Sequence, residues 1–368
     1  MDWYMLRILR GQPWRLTLTL IGLTLCILLM LFLISVYQGV EYGSVEYIRQ
    51  NEADLWVLQQ SAWNILRGSS LLSTGHGRLI SEIHGIQSVS PVLLLLSGIG
   101  LPEGKATVFL TGYDPGQPLG GPPEIKRGRV IERDADIVLD EAFARKYHFD
   151  LGQEIEIEGR KFTIAGISGG TNALVIQYAF VTLKAARELI GFPSIVTCFA
   201  IKIYPGENME RTRAAIMDEV PGVSVYNQEE FMRNNIREME TGFLPFLYTI
   251  ASMGMIVLLV ILSLLLSISI LEKTGDFAVL KILGASQGYL ISMIIVQAVF
   301  LATTSMAIAI IGFLPMSQIV KGLIPEISMR LQLMQVGWIL LVVIVISMTS
   351  ALLSARRLRH IYPMEVFR

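Results

Sequence analysis

Gly166-Ile-Ser168-Gly-Gly170 matches G-x-S-x-G, the turn on which hydrolases expose a serine nucleophile between a strand and a helix. That chemistry also needs an acid and a histidine further along the chain. The residues after Gly170 read as loop and strand, and the only later histidine, His360, is separated from Ser168 by three long apolar runs. The motif is therefore read as a glycine-rich loop. Gly100-Leu-Pro-Glu-Gly104-Lys105-Ala106 looks like a phosphate loop, but it is one residue short and has no Ser or Thr after the lysine. His76, His84 and His148 lack the spacing of metal ligands and read as surface side chains. No catalytic residue, metal ligand or resident cofactor is expected on this chain.

One segment carries a positive signal. Residues 272–286 read Glu272-Lys273-Thr-Gly-Asp276-Phe277-Ala-Val-Leu280-Lys281-Ile-Leu283-Gly284-Ala285-Ser286. On a helix, Phe277, Leu280 and Leu283/Gly284 share one apolar face, with Lys273, Asp276 and Lys281 polar. A short amphipathic helix between two membrane crossings suits a docking element that transmits a push. A re-entry loop lying on lipid headgroups is the alternative that periodicity leaves open.

The elements that hold this segment are four apolar runs, 16–36, 243–271, 290–314 and 336–355, none containing a charged residue. Each reaches the roughly 20 residues that a membrane-crossing helix requires. The 368-residue chain is 52% hydrophobic and 17% charged, which sets it apart from ordinary soluble domains. The first run is too long for a secretory leader and lacks a small-residue cleavage site. Arg7, Arg10 and Arg15 precede it, and Arg356, Arg357, Arg359 and Arg368 follow the last run. Basic flanks favour the cytoplasmic side, so both termini are placed inside and residues 38–242 outside. Residues 38–241 carry 19 Lys+Arg against 26 Asp+Glu, a net of −7.

The expected organisation follows. Residues 1–15 form an interfacial amphipathic helix or, alternatively, a disordered basic leader. Between the crossings at 16–36 and 243–271 lies an α+β domain of two lobes, 45–113 completed by 194–226, with 114–193 inserted. Strands are expected at 54–59, 89–99, 106–113, 137–140, 175–182 and 195–204, and a hairpin over 155–164. Helices are expected at 73–84, 141–147, 183–190 and 207–220. Residues 114–123, rich in Pro and Gly, read as a break. Asn227 and Glu230 resemble a capped start to a stalk helix over 227–242, which Pro245 could kink. A coupling helix and loop at 272–289, a short outer loop at 315–335 and a basic tail at 356–368 complete the chain. Cys26 and Cys198 are not expected to pair.

Ion-coupled carriers place ionisable side chains inside the membrane, so uncharged crossings exclude that class. Gln297 is the most polar mid-membrane residue and is read as an interhelical hydrogen-bonding group. Small residues recur at four-residue spacing in Ser263 and Ser267, in Ser305 and Ala309, and in Ser347, Ala351 and Ala355. Such faces let helices approach closely, within one chain or between two copies.

The segment Asp276-Phe-Ala-Val-Leu280-Lys281-Ile-Leu283-Gly284-Ala285-Ser286 resembles the E-I-G-x-L-R-A-L-G-A-S stretch of the MacB/FtsX/LolC permease superfamily. The ending Pro363-Met-Glu365 is similar to its carboxyl-terminal Pro-x-Glu pattern, and the one-plus-three layout is its topology. Glu52-Ala-Asp54-Leu-Trp-Val, Ser88-Val-Ser-Pro91, Thr111-Gly-Tyr-Asp-Pro115 and Gln228-Glu-Glu-Phe231 look most like DevC-type permeases, which lack a fused ATPase. The resemblance implies an ABC permease of the type VII class in a bacterial inner membrane, paired with itself or a related permease. A separate cytoplasmic ATPase would bind the ATP and Mg, and Glu272 to Ser286 would receive its motion. A periplasmic adaptor and outer-membrane duct are implied partners; the lipid bilayer is another, and no nucleic acid is expected. The function implied is export of amphiphiles by mechanotransmission. An FtsX-like transmitter controlling a cell-wall hydrolase and an extracytoplasmic sensor are the competing readings. The roughly 200-residue outer domain and the short tail favour export.

Overall fold

The computed structural model describes residues 13–65, 70–101, 104–171, 177–242, 244–272, 274–324 and 329–355. Most of the expected interfacial helix and the whole basic tail lie outside these residues. Residues 13–15 open a long helix instead. This helix, α1 (Pro13–Gln50), runs for 38 residues, about 57 Å at 1.5 Å per residue. It continues well past the apolar run because Val40, Val45, Tyr47 and Ile48 supply further buried side chains. The described residues form two compact units: one takes those up to 38, from 245 to 319 and from 329 on, the other those from 39 to 244 and the described ones after 319.

The second unit is α/β. In chain order its elements are β1 (Leu55–Gln59), β2 (Leu72–Ser73), α2 (Thr74–Glu82), β3 (Ile86–Leu101), β4 (Gly104–Tyr113), β5 (Glu124–Gly128), β6 (Asp136–Asp140), α3 (Glu141–Lys146), β7 (Glu154–Ile157), β8 (Arg160–Gly169), β9 (Gln177–Thr182), α4 (Leu183–Ile190), β10 (Ile195–Val196), β11 (Cys198–Ile203), α5 (Met209–Glu219), β12 (Val223–Asn227) and α6 (Gln228–Gly242). Ten strands form one mixed sheet ordered β12-β1-β11-β3-β4-β9-β6-β8-β5, with β7 pairing β3 and β8; β2 and β10 pair separately.

The two lobes meet in one strand. The first half of β3 pairs antiparallel with β11, from Ile86↔Ile203 to Val92↔Cys198. Its second half, from Leu93 to Leu101, pairs with β4. β4 has β3 on one side and runs parallel to β9 on the other, so it joins the expected lobe 45–113 to the inserted segment 114–193 in one continuous sheet.

Strand residues alternate between two buried faces, which explains runs such as Leu55-Trp56-Val57-Leu58. Leu55, Val57, Leu93, Leu110, Leu139, Val181 and Ile201 share one core with Ile80 of α2, Phe143 of α3, Ala186 of α4 and Ile216 of α5. Trp56, Leu58, Phe109, Val138, Phe180 and Ala200 share the other with Tyr47 and Ile48 of α1 and Phe231 of α6. The helix starts follow capping chemistry. Ser73, Asp140, Thr182 and Asn208 each accept a backbone N–H of the first turn. At α6, Asn227 Oδ1 accepts from Glu230 N at 2.8 Å and Glu230 Oε2 from Asn227 N at 3.4 Å, the reciprocal box expected there.

The other unit is helical: the first part of α1, α7 (Leu244–Glu272), α8 (Thr274–Ile282), α9 (Gln287–Leu323) and α10 (Leu333–Ala355). Four described helices are long and apolar enough to cross a membrane: α1, α7, α9 and α10. Pro245 sits in the first turn of α7, where its missing N–H costs no helical hydrogen bond. α9 runs through Pro315 to Leu323, so the outer connection is shorter than the 315–335 expected. Apolar character falls after residue 314, yet the polar residues Ser317, Gln318 and Lys321 are no obstacle to a helix.

Candidate functional site

The segment 272–286 lies between two of the long apolar helices, α7 and α9, and is built by capping. α8 covers Thr274–Ile282, and its carboxyl end is closed by three backbone bonds. Leu283 N donates to Val279 O at 3.0 Å, Gly284 N to Lys281 O at 3.0 Å and Ala285 N to Leu280 O at 2.9 Å. The last two form a Schellman motif, which demands a left-handed residue; Gly284 supplies it with φ +94°. Two residues later, Ser286 Oγ accepts from Tyr289 N at 3.2 Å and so caps α9. One stretch of three residues thus stops one helix and starts the next.

The apolar side chains that α8 exposes overlap the face that periodicity selects, at Leu283. Val279, Ile282 and Leu283 are exposed, Leu283 to 78%. Leu280 and Lys281 are half-buried, and Ala285 is too. Val279, Ile282 and Leu283 stand at i, i+3 and i+4, a stripe overlapping that of Phe277, Leu280 and Leu283. Both stripes are in the sequence; in the second, Leu280 is half-buried and Leu283 exposed. Lys273 and the side chains of Glu272, Asp276 and Phe277 lie outside the described residues.

The small-residue faces are resolved for α7 and α10. Ser350 Oγ donates to Leu259 O at 2.9 Å, Ser354 Oγ to Ser263 O at 3.0 Å, and Ser267 Oγ to Ser354 Oγ at 3.3 Å. Ser347 Oγ returns to Val343 O of its own helix, and Ala351 is fully buried. Ser350 and Ser354 were not singled out in the sequence, although they lie one helical turn from the residues that were. Ser305 and Ala309 of α9 are also fully buried within the chain. Gln297 is half-buried on α9, and the side chain of Ala355 lies outside the described residues.

In the α/β unit, motif stretches far apart in sequence converge. Trp56 Nε1 donates to Gln228 Oε1 at 2.8 Å, and Gln228 Nε2 donates to Ile48 O at 2.8 Å. Trp56 stacks on Phe231 with ring centroids 5.1 Å apart. Asp54 Oδ2 accepts from Ile203 N at 2.8 Å. Tyr47 Oη donates to Gly120 O, and Gly120 N to Asn51 Oδ1. The end of α1 and the start of α6 are thereby bound to the same sheet face.

The chemical look-alikes resolve into structure. Ser168 lies inside strand β8, fully buried, with Oγ 3.4 Å from Leu139 O and 3.1 Å from Thr171 Oγ1. Thr171 Oγ1 in turn donates to Asp140 Oδ2 at 2.6 Å. Burial pushes the Asp140 carboxyl up to about 6, against the bonds from Thr171, Ala142 and Phe143 that favour its charge. Gly100 and Lys105 face each other across the β3–β4 hairpin, which is strand geometry rather than a phosphate cradle. His84 Nδ1 lies 3.8 Å from Glu207 at the surface, and His76 contacts its own turn at Ser73 O.

Comparison with known proteins decides the family. The MacB-like periplasmic core domain matches residues 16–219 and the FtsX-like permease C-terminal family matches residues 248–363. The chain belongs to the MacB/FtsX family of ABC transporter permeases. An uncharacterized ABC transporter permease of Mycobacterium tuberculosis is 22% identical over 329 residues, 87% of this chain and 86% of the relative. A Staphylococcus haemolyticus permease named for a hemin transport system is 18% identical over 354 residues, 96% of this chain and 95% of the relative. Among solved structures, the periplasmic region of MacB from Actinobacillus actinomycetemcomitans aligns with 16% identity and a TM-score of 0.41, covering 52% of this chain and 96% of that one. As a MacB/FtsX permease the chain is a membrane protein with an extracytoplasmic α/β domain, and its family implies a cytoplasmic ATPase partner.

Proposed function

We propose that this chain is the membrane subunit of an exporter whose separate cytoplasmic ATPase docks on α8 and drives the extracytoplasmic domain through α7 and α9. The observation that carries the reading is α8 itself. It is a short helix capped between two spanning helices, exposing Val279, Ile282 and Leu283. ATP and Mg belong to the partner in this reading, and this chain contributes no catalytic group. Both termini are cytoplasmic, following the basic flanks.

The working unit is a homodimer or a pair with a related permease, since the partner ATPases act as pairs. The substrate class is amphiphilic: lipid, glycolipid, lipoprotein, peptide or drug. Uncharged spanning helices suit levers rather than an ion path, and hemin, the compound in one relative's name, is itself an amphiphile. A periplasmic adaptor and outer-membrane duct would complete the route. Co-purification of the full chain with its co-expressed ATPase tests the docking step. Leu283→Asp should weaken recovery of the ATPase about tenfold, the factor set by 1.4 kcal/mol of lost apolar contact. Undiminished recovery would remove α8 from the interface.

A further inference from the structure

We infer that Gly284-Ala285-Ser286 is a fixed-angle joint, and that Gly284 and Ser286 are positioning residues that transmit motion from α8 to α9 without themselves docking the ATPase. The inference deepens the proposed function and rests on it for what moves α8, whereas the joint itself stands on geometry.

Three observations carry the joint, and the experiment below separates transmission from docking. First, the joint has no slack. The Schellman bonds end α8 at Gly284, and the Ser286 cap begins α9, leaving Ala285 alone between two closed ends. A flexible linker of even a few residues would absorb a displacement as loop rearrangement. Two capped ends with one residue between them fix the angle between the helices.

Second, Gly284 is required by its backbone and not by crowding. Its φ is +94°, where a side chain is strained, yet a Cβ built there meets no atom within 4 Å. Within this chain, then, the left-handed backbone and not a neighbouring atom is what asks for glycine. Third, the segment carries its own controls. Gly275 and Gly288 also have open space around a built Cβ, and neither has a positive φ. Alanine at those two helical positions fits the backbone and favours the helix.

The test uses the full-length chain in proteoliposomes with its co-expressed ATPase, measuring ATPase binding and the permease-dependent change in ATP hydrolysis separately. A third readout needs no ATPase: spin labels at Val279 and Ser292, both exposed, in a chain whose two cysteines are replaced. Gly284→Ala should leave ATPase binding within about threefold and reduce the effect on hydrolysis about tenfold, the size of an imposed left-handed strain. It should also broaden the 279–292 distance distribution. Gly288→Ala should behave as wild type, and Gly275→Ala should leave the 279–292 distance distribution as in wild type. Gly284→Asn, which tolerates the left-handed region better, should recover part of the loss. Ser286→Ala should show a weaker form of the same defect, and Ser286→Asp, which still caps, should not.

Gly284→Ala matching Gly288→Ala in the distance distribution would overturn the joint. So would parallel loss of binding and hydrolysis with the distribution unchanged, because Gly284 would then be a docking contact. If wild type binds no ATPase while Gly284→Ala still broadens the distribution, the joint stands and the proposed function falls.

Discussion

Asp140 shows how one residue can look chemical and act structurally. It caps α3 through Ala142 N and receives the hydroxyl of Thr171, all in a buried setting beside Ser168. Its carboxyl is raised from 3.8 to about 6, so the folded state holds that proton more tightly than the unfolded chain. The stability this contributes is present below the unfolded value and is lost as pH rises through about 6. Thermal unfolding of the purified full chain should therefore show a component falling by about 2–3 kcal/mol between roughly pH 4 and pH 7. Asp140→Asn, which still caps, should flatten that component; a retained slope would assign it elsewhere. Gln228 makes a second residue-scale case. It pairs at once with Trp56 Nε1 and Ile48 O, so Gln228→Leu strands a buried donor and acceptor. The expected cost is about 1–3 kcal/mol, read as a lower melting temperature. An unchanged melting temperature would show that water replaces the amide. Neither role follows from sequence, because the partners lie 31 and 172 residues away.

At the scale of elements, local chemistry was the legible part. The helices at 183–190 and 141–147 and the box at Asn227 and Glu230 lie where caps and periodicity put them. The charged strand β5 was not legible: Glu124-Ile-Lys-Arg-Gly128 carries too little apolar alternation, and its pairing with β8 creates it. The two-residue strands β2 and β10 have no local signal at all. On α8 the sequence offers two overlapping stripes that share Leu283, and the exposure of Val279 and Ile282 is read from the structure. The serine ties between α7 and α10 were legible as spacing but not as partners. They predict that Ser350→Ala and Ser354→Ala each destabilise the helix pair by about 0.6 kcal/mol, as interhelical hydrogen bonds in membranes do on average. Ala351→Leu, which overfills a fully buried position, should cost about 1–3 kcal/mol. Limited proteolysis in detergent checks the order; equal resistance in all three variants would remove these contacts from the packing.

For the whole molecule, the four apolar helices and the intervening domain were plain from composition, and the family matches agree over residues 16–219 and 248–363. That β4 joins the two expected lobes in one sheet was not, because a strand's sheet partner is a long-range choice and β9 lies some 70 residues beyond it. In the proposed function a displacement begun on α8 reaches the extracytoplasmic sheet. Hydrogen exchange at the backbone of β1 and the start of α6, in the full complex with and without ATP, tests it most directly. ATP should change exchange around Trp56 and Gln228 in the wild-type complex, and Leu283→Asp should abolish the change. Exchange indifferent to ATP in the wild-type complex, or a response that survives Leu283→Asp, would contradict it.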